Sequence, residues 1–157
     1  MKRLASLSLL AVLFLVGTVP VRASSVTPIN GQVSALELCP LSFCGAAIFS
    51  GLFVGQAGAN PFAVGVISVA AKHEPLPPPD QFADITDGVW SLRLLSGRRF
   101  TGIVTSGSLF NNGDDTFDVE VQMDLVSGGT GIGQYTFIGK LSHQVFPPTL
   151  IGEVITQ

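Results

Sequence analysis

Along Thr116–Val126, TFDVEVQMDLV, every second side chain is apolar: Phe117, Val119, Val121, Met123 and Leu125 alternate with Asp118, Glu120, Gln122 and Asp124. Successive side chains of an extended chain point to opposite faces, so this stretch has one dry side and one wet side. That pattern belongs to a half-buried antiparallel strand, and it commits the surrounding chain to a β architecture with a single core.

The same period runs through other segments. Trp90, Leu92 and Leu94 share one face of Val89–Leu95, and Tyr135, Phe137, Gly139 and Leu141 share one face of 134–143. Leu150, Gly152 and Val154 do the same in 149–156. Asn112-Gly113 is a strong hairpin signal and predicts that 99–110 pairs with 116–126. With those two residues at the centre of the turn, Phe100, Gly102, Val104, Ser106 and Ser108 fall opposite Leu125, Met123, Val121, Val119 and Phe117. Gly31–Leu38 alternates poorly, and a short helix fits it nearly as well as a strand. Residues 80–88 are expected to be loop, continuing the stiff Pro75–Pro79 connector, whose prolines cannot join a hydrogen-bonded ladder.

Residues 45–71 contain no charged side chain. Their length would allow a membrane-spanning helix, and Gly51-x-x-x-Gly55 could pack such helices. The glycines, the β-branched second half and the turn signal at Gln56–Pro61 favour a hairpin, Ala46–Gly55 returning as Phe62–Ala71. Both faces of that hairpin are apolar and both need cover.

The predicted fold is therefore all-β: an antiparallel meander of seven or eight strands, closed into an up-and-down barrel or strongly curled, with a β-sandwich as the alternative. The tripeptide Phe-x-Gly recurs at Phe49-Ser-Gly51, Phe100-Thr-Gly102 and Phe137-Ile-Gly139; residues two apart share a face, so each ring is expected to lie across its own glycine, and glycines within strands mark bends that help a sheet to curl. In layout the chain resembles small ligand-binding meander barrels, a likeness of architecture alone.

The N-terminus carries Lys2 and Arg3, an apolar run Leu4–Val16 and a small-residue exit at Val21-Arg22-Ala23, the build of a secretory signal peptide over 1–23. The run is too short for a spanning helix. Residues 24–157 then form a single β domain. Losing Lys2, Arg3 and Arg22 takes the 8 basic side chains to 5 against 11 acidic ones and moves the net charge from −3 to −6. Such a surface repels nucleic acid. The expected location is secreted or periplasmic. There the two cysteines, Cys39 and Cys44, favour a small disulfide loop over free thiols, and two soft ligands are too few for a metal site.

Chemistry-bearing motifs are sparse. The nucleophile elbow, the phosphate loop, the dinucleotide fingerprint and the two-histidine zinc helix are missing from the sequence. The glycine-rich 128–133 lacks the helix and lysine of an anion cradle, and the acidic tip 111–118 lacks the closing glutamate of a calcium loop. Of the two histidines, His143 shares a face with Tyr135, Phe137 and Leu141, and Glu153, Asp84 and Asp87 are the carboxylates that folding could bring to it. The expected function is an exported, non-enzymatic, barrel-like domain that binds a hydrophobic small molecule or a protein partner. Trp90, Phe100, Val104, Tyr135, Phe137 and His143 are the expected ligand-facing residues, with no cofactor and no metal. The alternatives are a barrel isomerase or lyase that uses His143 and Tyr135 as acid and base, and a structural envelope component that contacts membrane through 45–71.

Overall fold

The computed structural model of the protein describes residues 25–131 and 133–157; the expected leader over 1–23 lies outside the described residues. Eight antiparallel strands follow one another in chain order: β1 (Ile29–Cys39), β2 (Ala47–Ala57), β3 (Asn60–His73), β4 (Phe82–Leu94), β5 (Arg99–Asn111), β6 (Thr116–Ser127), β7 (Gln134–Ser142) and β8 (Thr149–Thr156). Each pairs with the next, and β1 pairs with β8 to close a barrel. Closure leaves no free sheet edge.

The inward faces are those that period two predicts. Phe117, Val119, Val121, Met123 and Leu125 of β6 are all buried, opposite Leu141, Gly139, Phe137 and Tyr135 of β7. Residues 45–71 form the hairpin β2–β3, which turns at Gly58 with a positive φ of 61°, and the helical alternative is overturned. Among the described residues no helix is long and apolar enough to cross a membrane. The inner side of that hairpin joins the core, while Leu52, Val54, Val64 and Val66 stay exposed on the outside.

Residues 31–38 are strand rather than the helix that fits nearly as well, with Val33 and Ala35 facing the core at a spacing of two. Three expectations are corrected. β4 begins at Phe82 rather than Val89. Ala83 and Ile85 already point inward, and a bulge at Thr86 adds the residue that puts Gly88 and Trp90 back on the same side. The β5–β6 register differs from the simple Asn-Gly turn. The turn spans Asn112–Asp115, with the Asn112 amide donating to the Thr116 carbonyl at 3.0 Å, and Gly102 rather than Phe100 sits opposite Leu125. A bulge at Thr105 then turns Gly107 and Leu109 inward in place of Ser106 and Ser108. Bulges re-aim a strand, and a single one inverts every later position in a period-two forecast. Lastly, only the third Phe-x-Gly has its ring over its own glycine. A Cβ at Gly139 would lie 2.5 Å from Phe137 Cζ, whereas the space over Gly102 belongs to the Trp90 indole and that over Gly51 to Ala35.

The two ends of the barrel differ. One is filled: Ile29, Phe53, Leu92, Phe100 and Tyr135 are its largest fully buried side chains, each contributing about 1.5–3 kcal/mol of apolar burial. The segment before β1 crosses this end. Thr27 Oγ1 accepts the Thr130 amide at 2.7 Å and the Pro28 carbonyl accepts the Gly58 amide at 2.7 Å. At the other end the inward positions are smaller, and the barrel stays open.

Candidate functional site

The open end holds a cavity of about 350 Å³, within the size range of small-molecule sites. The short side chains of Ala47 on β2 and Ala71 on β3 are part of its lining and leave the space open. Phe49, Val69, Val121 and Val119 form its floor and walls, and Leu109, Leu141 and Leu150 continue the apolar lining. Two connections overhang the mouth. Pro75 and Leu76 come from the proline-rich loop between β3 and β4, and Pro40, Leu41 and Ser42 come from the loop between β1 and β2. That second loop contains a single helical turn, α1 (Leu41–Cys44), and is tied by the Cys39–Cys44 disulfide, as the spacing predicts.

Polar groups in this lining are few, and two of them face each other. Glu37 is the last inward residue of β1, with only 7% of its side chain exposed, and its Oε2 lies 3.5 Å from Nε2 of His143, whose side chain is 28% exposed. Glu37 stands on β1 and His143 one residue past the end of β7, with β8 between those two strands, and the two side chains converge over Leu150. The Glu37 amide donates to the Pro148 carbonyl at 2.9 Å and the His143 amide to the Asp115 carbonyl at 2.9 Å. The imidazole leans on Phe117, ring centres 5.3 Å apart. His143 Nε2 is buried and has no hydrogen-bonding partner among the described residues; at 3.5 Å its approach to Glu37 Oε2 lacks the alignment of a hydrogen bond. His73, the second histidine of the chain, also lines the mouth, with its Nδ1 held by the Glu74 carbonyl at 2.5 Å.

Of the six residues expected to face a ligand, only His143 lines this cavity. Tyr135 lies at the filled end, fully buried, and its hydroxyl donates to the Thr27 carbonyl at 2.7 Å. Burial pushes its phenol above the usual 10.0. Trp90 packs edge-on against it, ring centres 5.9 Å apart, and donates through Nε1 to the Asp124 carbonyl at 3.2 Å. Phe100 and Val104 are buried in the core. Phe137 lines only a void of about 30 Å³ beneath the floor. A shared face in the period-two reading does not make a shared site: Tyr135 lies near the start of β7 and His143 just past its end, at opposite ends of the barrel, because each residue of a strand advances it by about 3.3 Å.

The carboxylate beside His143 is Glu37 rather than Glu153, Asp84 or Asp87. The spacing Val33, Ala35, Glu37 carried the signal, because period two places that acid on the apolar side. Among the described residues no group of three or more His, Cys, Asp or Glu is arranged to hold a metal ion. At the neighbouring hairpin tip, Asp114 serves the turn: its Oδ1 takes the Thr116 hydroxyl at 2.5 Å and amide at 3.1 Å. Those bonds, led by the hydroxyl, lower its pKa. Comparison with protein-family models, curated proteins and solved structures returns no match for this chain.

Proposed function

We propose that this chain is an exported binding protein that holds an apolar small molecule in the open half of its barrel. The observation that carries the proposal is the cavity of about 350 Å³ with its almost wholly apolar lining. Apolar surface that water can reach gains free energy when a ligand covers it, at about 25 cal/mol per Å². The disulfide across the rim loop and the leader-like N-terminus support export.

Titration with the neutral dye N-phenyl-1-naphthylamine tests this. The expected result is saturable enhancement at one dye per chain, abolished in Ala71→Phe, which fills the cavity. No enhancement, or equal binding by Ala71→Phe, refutes the proposal.

A second reading is favoured by the carboxylate and imidazole at 3.5 Å inside a cavity: an isomerase or lyase that moves a proton between Glu37, His143 and a bound substrate. Tyr135 has no part in it, being bound to Thr27 at the far end. Deuterium uptake from solvent into a bound ketone, lost in His143→Gln, is its expected signature.

A further inference from the structure

We infer that the cavity is built for an apolar molecule bearing a single hydroxyl group, seated between Glu37 and His143, in preference to a fatty acid or an amine. This rests on the binding function proposed above and names the ligand class.

The two polar groups are placed and held, and His143 Nε2 has no hydrogen-bonding partner among the described residues. Glu37 Oε2 and His143 Nε2 lie 3.5 Å apart, the ends of their strands are pinned by the Pro148 and Asp115 carbonyls, and Phe117 sets the tilt of the imidazole. Leu141 and Leu150 beside them offer no donor or acceptor. Buried polar atoms are nearly always hydrogen-bonded, and an orphan such as His143 Nε2 calls for an explanation. The pair supplies one acceptor, the carboxylate oxygen, and one donor, the Nε2 hydrogen of the tautomer that faces it.

A hydroxyl is the simplest group that answers both, because it donates to Glu37 Oε2 and accepts from His143 Nε2 at once. A carboxylate only accepts, and it brings a second negative charge beside Glu37. An ammonium pairs with Glu37 but, because it only donates, needs the other tautomer of His143, whose bare Nε2 would face the carboxylate in the free protein. A ketone or ester accepts from His143 but leaves Glu37 unanswered. Unpaired polar groups in a dry site are where discrimination is strongest. The rest of the lining is apolar, so the remainder of the ligand is hydrocarbon. A volume of about 350 Å³ is that of a small-molecule site, and 1-decanol, a straight alcohol with one hydroxyl, is a probe of this class.

The test is displacement of bound N-phenyl-1-naphthylamine from the full chain by 1-decanol, decane, decanoate and decylamine near neutral pH, with wild type, Glu37→Gln and Glu37→Leu. In wild type, decanol is expected to compete at least tenfold more tightly than either ion, which corresponds to about 1.4 kcal/mol. The ratio of decanol to decanoate affinity should fall in Glu37→Gln, where the repelling charge is gone, and fall further in Glu37→Leu, where the acceptor is gone too. Equal affinities in wild type, tighter binding of decanoate, or a ratio that neither variant moves would overturn the inference while leaving the binding function standing, since the dye reports that separately. If Glu37→Leu does not fold, Glu37→Gln, which is isosteric, decides. An ordered water that keeps the position between Glu37 and His143 would appear as equal affinity for decanol and decane, and would likewise overturn it.

Discussion

Tyr135→Phe isolates the tie that closes the filled end of the barrel. The substitution keeps the ring, its edge contact with Trp90 and the core packing, and removes only the hydroxyl that donates to the Thr27 carbonyl at 2.7 Å. Thr27 is itself buried, so its carbonyl is left without a partner and without water, at a cost of about 1–3 kcal/mol. For a domain of this size, 2 kcal/mol corresponds to a fall in Tm of roughly 6–10 °C. The loss should also depend on pH in a set direction. Burial raises the phenol of the folded protein above the ordinary 10.0, so the unfolded chain releases this proton first. Stability that is fully present below pH ~10 is then lost as pH rises through the folded value. The Phe variant has no proton to lose there. Urea unfolding followed by Trp90 fluorescence should therefore give a wild-type advantage of about 2 kcal/mol near neutrality that narrows above pH ~10. A variant as stable as wild type near neutrality, or a gap that stays constant into the alkaline range, would refute the assignment of Tyr135 as a buried tether.

Two other predictions concern the open end. Trp90, the single tryptophan, is buried and is not part of the cavity lining, so saturating the protein with 1-decanol should leave its emission maximum where it is; a marked shift would place the ligand at the filled end instead. Replacing Cys39 and Cys44 together by Ser opens a loop of sequence separation 5, which loop-closure entropy values at about 2 kcal/mol of stability. Because Pro40, Leu41 and Ser42 overhang the mouth, stopped-flow measurement should also find faster dye release, and an unchanged release rate would argue that this loop does not gate the cavity.

Which side faces inward was legible in the amino-acid sequence by itself wherever the alternation is unbroken: Phe117 through Leu125, Trp90 through Leu94 and Tyr135 through Leu141 announce it. The direction of a side chain in an extended strand is local, set by its neighbours in the chain. The hairpin at 45–71 and the Cys39–Cys44 bond were legible for a similar reason, since the partners are near in sequence. The bulges at Thr86 and Thr105 were not, because a bulge answers to the pairing strand rather than to its own residues. Nor was the division into a filled and an open end, which depends on which inward residues from eight strands share a level of the barrel. The Glu37–His143 pair belongs wholly to the tertiary structure. Its members are far apart along the chain and meet because twist and register, summed over the whole sheet, bring β1 beside β8, and no short window of residues contains that sum.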